Sequence, residues 1–427
     1  MKEVLLKNAI IYAEGRLTPS DMLLGDGRIV SIAPHGAIEG GDCVIDCSGL
    51  VIAPGFVDVH VHFREPGFEY KETIATGSRA AAKGGYTTVC TMPNLNPAPD
   101  GVVSLQRQLE IIDRDSLVKV YPYACLTMGQ RGSGELADYK GILSKYADRV
   151  AGFSDDGRGV QSLELMERAM ESIAGTGKLV AAHCEVDALL NGGYIHDGSY
   201  ALAHAHKGIC SESEWKEVER DLELSAKTAC PYHICHISTK ESVELLREAK
   251  TRGLNVSGET APHYLVLCED DMKEEGRFKM NPPLRSSEDR EALIEAIKDG
   301  TIDIIATDHA PHGEEEKSRG LKGSAMGIVG LETAFPVLYT HLVKSGIISL
   351  ERLFDLMSVC PRRRFGFGEG IKIGANADLC AIDLNAEYCI DSRSFLSKGK
   401  STPFDGMKVY GEVVMTFVDG LPVYIKR

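Results

Sequence analysis

Phe56-Val57-Asp58-Val59-His60-Val61-His62 is an apolar run whose polar residues recur at every second position. Side chains at i and i+2 of a strand share a face, so Asp58, His60 and His62 are expected on one side and Val57, Val59 and Val61 on the other. The β-branched valine face suits packing against a covering helix. The opposite face offers two imidazoles together, which is how a strand presents a metal-ligand pair. A bound metal takes three or four protein ligands, so the remaining ligands must come from elsewhere in the chain.

Outward from this stretch the pattern alternates. Strand-like runs fall near 56–62, 86–92, 118–126, 149–154, 178–184, 232–238, 254–260 and 302–308, with helix-compatible stretches at 71–83, 101–114, 162–174, 212–228, 240–252 and 287–298. Eight strands alternating with helices predict a parallel sheet closed into a (β/α)8 TIM barrel. The ends differ. Residues 2–53 and 371–425 give short alternating segments broken by Gly25-Asp26-Gly27, Gly40-Gly41 and Asp419-Gly420, the mark of hairpins. Each flank alone is small for a stable core, so the two are expected to join. The predicted organisation is a small β-sandwich domain from residues 1–55 plus 367–427, and a barrel from residues 56–366.

Such a barrel places its chemistry at the C-terminal ends of several strands. The first strand ends in His60 and His62, and the fourth runs into Asp155-Asp156-Gly157. The fifth ends in His183, the sixth holds His233 and His236, and the eighth ends in Asp308-His309. Taken singly, a histidine ending a buried strand is an ordinary structural residue, and an aspartate before glycine is a turn former. Metal-competent side chains at five of eight strand ends point instead to a shared site. Strand alternation leaves the choice between Asp155 and Asp156 open. His233, three residues from His236, is read as structural, as is His309.

Composition narrows the partners. With 62 acidic against 47 basic residues, the formal charge of −15 argues against nucleic acid and anionic membranes. No run approaches the roughly 18 consecutive apolar residues of a membrane span. Met1-Lys2-Glu3-Val4-Leu5-Leu6-Lys7 resembles neither a signal peptide nor an anchor. The 12 cysteines form no Cys-x-x-Cys pair, which suits reduced thiols. A cytoplasmic protein is expected, acting on a small molecule, which can be anionic if a local cationic site receives it.

Seven segments, in order along the chain, resemble known motifs: 60–67 (His60-Val61-His62-Phe63-Arg64-Glu65-Pro66-Gly67), Thr91-Met92-Pro93-Asn94, Asp155-Asp156-Gly157, Ala182-His183-Cys184-Glu185, His236-Ile237-Ser238-Thr239, Met280-Asn281-Pro282-Pro283-Leu284-Arg285 and Thr307-Asp308-His309-Ala310-Pro311-His312. They are similar to those of the amidohydrolase superfamily, and within it to the bacterial class I dihydroorotases. The resemblance implies one or two zinc ions per subunit, two expected. His60, His62 and Asp308 would hold one, and His183 and His236 the second, with Asp156 bridging them or ligating the second. The spacing of 27 residues from Asp156 to His183 fits that family.

The implied reaction is the reversible cyclisation of N-carbamoyl-L-aspartate to (S)-dihydroorotate and water, in pyrimidine biosynthesis. Divalent metals make water acidic enough to attack an amide near neutral pH. Asp308 is the catalytic candidate, passing a proton from water to the departing nitrogen. Arg64 offers a bidentate fork for the substrate carboxylate. His62, Asn94, Asn281, His312, Met326 and Gly327 complete the implied binding set, the last two through backbone atoms. Met326 stands where phenylalanine is commoner, and Phe63 where leucine is frequent. The resemblance also implies a homodimer and raises association with an aspartate transcarbamoylase.

Two alternatives compete. Other cyclic amidases of the superfamily, such as hydantoinases, dihydropyrimidinases and allantoinases, often bridge their metals with a carboxylated lysine after strand four; this chain reads Gly152-Phe153-Ser154-Asp155-Asp156 there. A catalytically inactive structural paralogue would have lost ligands, and all six are present. Four features sit outside this core. The charged, glycine-rich segment 311–330 is read as a lid. Asp58 either orients an imidazole or plugs the barrel floor. Cys43 and Cys47 are read as buried β-residues, and the charged run 214–223 as a solvated helix face.

Overall fold

Eight parallel strands follow one another around a single sheet: Phe56–Val61, Tyr86–Thr91, Lys119–Ala124, Gly152–Phe153, Val180–Ala182, Tyr232–Ile234, Val256–Thr260 and Ile304–Ile305. The computed structural model describes residues 3–426, so the expectation that begins at residue 2 is read from residue 3 onward. A parallel bridge from Val61 to His309, with His62 N donating to the His309 carbonyl at 2.9 Å, joins the last strand to the first. The result is a (β/α)8 barrel.

Two cores sandwich the barrel wall. Helices such as Ile74–Lys83, Val102–Asp115 and Leu163–Ile173 lay apolar stripes on its outside, and there Phe56, Val61, Val89, Val120, Val180 and Ile234 join one continuous cluster with helical residues such as Ala80, Leu105 and Met166. Inside, a second group draws Val57, Val59, Cys90, Tyr123, Ala181, Cys235, Ile304 and Ala306 from different strands, stoppered by Phe365 and Phe367. The strict alternation expected for 56–62 therefore fails. Val57 and Val59 face the interior core while Val61 faces the helices. The register against the neighbouring strand shifts between Asp58 and Val61, an irregularity that re-aims side chains where it falls.

The two ends of the chain meet in one further eight-stranded sheet. Val4–Ala13 is its branch point, pairing antiparallel with Arg16–Gly25 and parallel with Cys43–Asp46 and Val51–Pro54. Leu379–Cys389 then pairs antiparallel with Val51–Pro54 and carries Lys408–Val418 and Leu421–Ile425 beyond it. Leu6, Ile11, Met22, Leu24, Ile52, Leu379 and Phe417 give this unit its own core. Cys43 is exposed rather than buried, while Cys47 is buried.

The run 214–223 also departs from expectation. In helix Glu212–Thr228, Glu214, Glu217 and Asp221 are buried. Glu214 accepts from the backbone of Ser238 and Thr239 and from the hydroxyls of Ser238, Thr239 and Ser242. Asp221 accepts from the Tyr232 hydroxyl at 2.9 Å and from Arg220. Glu214 and Asp221 thus take donors from Ser238, Thr239, Ser242 and Tyr232, which the sequence does not show to be near, while Arg220 of the same helix pairs Glu217 and Asp221. No helix among the described residues is long and apolar enough to cross a membrane.

Candidate active site

At the C-terminal mouth of the barrel Asp156 lies among four imidazoles. Its carboxylate oxygens are 3.4 Å from His60 Nε2, 3.6 Å from His62 Nε2, 3.7 Å from His236 Nε2 and 3.9 Å from His183 Nδ1. Asp308 Oδ1 approaches the same group, 3.2 Å from His62 Nε2 and 3.6 Å from His60 Nε2. His183 Nδ1 and His236 Nε2 are 2.9 Å apart. The six residues named from the sequence as ligands are thus all buried in one cluster. Asp155 is turned away, accepting from the Leu126, Thr127 and Gly132 backbone and the Thr127 hydroxyl.

Three residues of the mouth hold left-handed backbone that L-residues rarely adopt: Arg64 at φ 59°, His236 at φ 30° and Asp308 at φ 48°. Such conformations persist only where surrounding structure enforces them, and they gather at functional sites. Asp308 in this conformation bends the chain out of the short eighth strand and turns its carboxylate to the histidines.

The donor set fits a divalent metal. His60, His62 and Asp308 have ligand atoms within 4.8 Å of one another, as do His60, Asp156 and His236. His60 Nε2 and Asp156 Oδ1 are buried without a hydrogen-bond partner and face each other across the cluster, a cost that a bound cation removes. Imidazole and carboxylate suit zinc and several other divalent ions. A third grouping, His60, Cys235 and Glu259, lies on the side of His60 that Glu259 occupies.

Glu259, at the end of the seventh strand, is a residue the sequence reasoning missed. Its Oε1 is 2.8 Å from His60 Nδ1 and its Oε2 is 3.0 Å from His233 Nε2. A carboxylate on the far nitrogen fixes ring and tautomer of a ligand-type histidine, so Nε2 of His60 is left toward the mouth. The available signal was a glutamate inside an otherwise small and apolar strand, Val256-Ser257-Gly258-Glu259-Thr260. Asp58 instead accepts from His60 N, Thr307 N and the Thr307 hydroxyl. It ties the first strand to the eighth and touches no imidazole ring nitrogen.

The charges are strongly interdependent. Burial alone would discourage a proton on His60, yet Asp156 and Glu259 outweigh it and raise its protonation well above the usual imidazole range. Burial likewise opposes ionised Glu259, but His60 and His233 hold it down to about 2. Asp156 and Asp308 are kept ionised against burial by the surrounding histidines. Burial disfavours charge on His183 as well, but the Glu185 carboxylate 3.6 Å from its Nε2 raises it to about 9. Several buried carboxylates thus share a demand for positive charge at one point.

Around this centre stand the residues named for substrate. Arg64 is half-buried, its Nε without a partner, and burial lowers its proton affinity. Asn94 donates to the Asp156 carbonyl at 2.6 Å, and Asn281 to Glu185 Oε1 at 2.9 Å. Each asparagine keeps a buried Oδ1 unpartnered. His312 Nε2 is 2.8 Å from the Met326 carbonyl, and Gly327 N donates to the Lys279 carbonyl. Gly327 sits at φ 131°, and a Cβ there would come within 2.7 Å of the Ala310 carbonyl, so only glycine fits. Segment 311–330 is ordered over this side through two short helices, Glu314–Lys317 and Gly320–Gly323.

A closed β/α barrel with a histidine and carboxylate centre at its mouth defines an amidohydrolase-type enzyme. A family model described as dihydro-orotase-like matches residues 49–242. The chain is 48% identical to a dihydroorotase of Bacillus caldolyticus over 426 residues, 99% of each chain. It is also 48% identical to one of Anoxybacillus flavithermus over 428 residues, 100% of this chain and 99% of that one. Among solved structures, L-hydantoinase (dihydropyrimidinase) from Arthrobacter aurescens matches with a TM-score of 0.90 and 27% identity, covering 100% of this chain and 97% of that one. The chain belongs to the dihydroorotase family.

Proposed function

We propose that this chain is a metal-dependent dihydroorotase of the class I type, interconverting N-carbamoyl-L-aspartate and (S)-dihydroorotate with exchange of water. The observation that carries the reading is full-length identity of 48% to dihydroorotases, together with Asp156 at the centre of the four histidines. Identity to the hydantoinase of the same fold is only 27%, and no lysine follows the fourth strand.

In this reading His60, His62 and Asp308 would hold one metal, and His183 and His236 a second, with Asp156 serving both or the second alone. The ion would be zinc, one or two per chain, with two expected. When bound, the metal centre supplies Lewis acidity to the ring amide and to the attacking water. The remaining work belongs to the protein. Asp308 contacts His60 and His62 through Oδ1, which leaves Oδ2 to take the proton of the attacking water and deliver it to the departing ring nitrogen. Arg64 receives the substrate carboxylate, since its buried, unpartnered Nε calls for an anion. Asn94, Asn281, His62, His312 and the Met326-Gly327 backbone surround the ring. Segment 311–330 acts as the lid that excludes water. A barrel unit of 56–366, a composite β-unit of 1–55 plus 367–427, a cytoplasmic location and a homodimer complete the proposal, on the strength of the resemblance.

The test is one metal-loaded preparation assayed for metal content and for both directions of the dihydroorotate reaction, beside hydantoin and dihydrouracil. Turnover of dihydroorotate with zinc bound is expected. Metal-loaded protein that opens hydantoin or dihydrouracil and ignores dihydroorotate overturns the reading.

A further inference from the structure

One contact ties the loop after the first barrel strand to the segment after the eighth. Lys71 Nζ lies 3.2 Å from His312 Nδ1 and 2.9 Å from Glu316 Oε1, and its side chain is only 15% exposed. On the other edge of the ring, His312 Nε2 is 2.8 Å from the Met326 carbonyl. A carbonyl only accepts, so Nε2 must carry the hydrogen. An ammonium only donates, so Nδ1 must present its lone pair. Two neighbours from distant parts of the chain therefore select the same tautomer.

We propose that Lys71 is a positioning residue of the reaction: by donating to Nδ1 it keeps the hydrogen of His312 on Nε2, and through Glu316 it holds helix Glu314–Lys317 against the Arg64 loop. The functional part rests on the dihydroorotase reading, in which His312 lines the substrate pocket. With the hydrogen on Nε2, the ring has one N–H, which goes to the Met326 carbonyl and can pass to an arriving carboxylate in its place. With the hydrogen on Nδ1, a lone pair would face both, and the Lys71 ammonium would meet an N–H instead of an acceptor. The charged groups facing this ring are consistent with the arrangement. After burial, Arg64, Lys71 and Lys317 disfavour a second proton on His312, and Glu316 alone opposes them. Loss of Lys71 should weaken substrate binding while leaving proton transfer at Asp308 in place.

The experiment compares metal-loaded wild type, Lys71→Met and Lys71→Arg, each labelled with ¹⁵N-histidine, with His312→Asn used only to assign the His312 signals. Long-range ¹H–¹⁵N spectra report which nitrogen carries the hydrogen. Wild type and Lys71→Arg are expected to show it on Nε2, because a guanidinium also only donates. Lys71→Met, in which the Met326 carbonyl alone still favours Nε2, should show a larger share of the Nδ1–H tautomer and a ring that protonates at higher pH. Its KM for dihydroorotate should rise about tenfold with kcat within about threefold, the signature of binding lost equally in ground and transition states, and Lys71→Arg should restore KM. An unchanged tautomer in Lys71→Met, an unchanged KM, or a Lys71→Arg protein as impaired as Lys71→Met overturns the proposal. If wild type does not turn over dihydroorotate, the dihydroorotase reading fails by itself, and the tautomer comparison still decides what Lys71 does.

Discussion

Under the proposed reading Asp308 would meet two demands with one side chain, because a single carboxylate oxygen faces His60 and His62 and the other would remain for a proton. Replacing it by asparagine keeps the shape and removes the basic oxygen. Asp308→Asn is expected to lower kcat by about 10²–10⁴-fold, the usual contribution of general acid–base catalysis, with an unchanged circular dichroism spectrum. A variant with near-normal kcat refutes the proton-transfer role. Glu259 works one step further from the chemistry. It accepts from His60 and His233 with different oxygens, and glutamine can satisfy only one of them. Glu259→Gln is therefore expected to weaken metal binding by about 10–100-fold, read by competition with a chelator. Unaltered affinity would show that the ring of His60 is held by packing alone.

Segment 311–330 shows what its sequence conceals. Its charge and glycines suggest a mobile lid, yet the Lys317 side chain is buried and donates to the carbonyls of Lys279 and Ala325 at 2.9 and 2.8 Å. It thereby staples the approach to Asn281 to the approach to Met326. Burial, aided by Lys279, lowers its pKa from 10.5 to about 7. Between these values the unfolded chain holds a proton that the folded chain lacks, so folding stability should fall as pH drops from about 10 toward 7. The slope is at most about 1.4 kcal/mol per pH unit for one proton. Lys317→Met is expected to flatten that slope in urea titrations across the interval, and an identical slope would place Lys317 in contact with water. The same limit on sequence reading recurs elsewhere. Strand ends and their chemistry follow from local periodicity, which is why 56–62, 232–238 and 302–308 could be aligned as parts of one mouth. Buried acids such as Glu214 and Glu259 cannot be recognised that way, since their partners lie on other elements. Neither can the register shift after Asp58, which separates the inward Val57 and Val59 from the outward Val61.

Across the whole molecule, the candidate ligands come from the first, fourth, fifth, sixth and eighth barrel strands, whereas the terminal sheet has a separate core built on Leu6, Ile52, Leu379 and Phe417. A metal held at the mouth would therefore cross-link the barrel circumference and reach the terminal sheet only indirectly, through the outer cluster that Ile382, Val409 and Val413 share with the barrel helices. Binding to the folded state alone stabilises it by about 4 kcal/mol when free metal is 1,000 times its Kd. Removing the metal with a chelator is expected to abolish turnover and lower the Tm by several degrees, both reversed by adding zinc. The loss should also be local. Buried carboxylates at Asp156 and Asp308 would then repel one another, so amide exchange should quicken around 154–157, 183–185, 236–238 and 307–310, while Leu379–Cys389 and Lys408–Val418 retain their protection. Equal loss of protection in the terminal sheet would mean that the metal stabilises the molecule globally, and an unchanged Tm would mean that the six residues hold no metal of structural consequence.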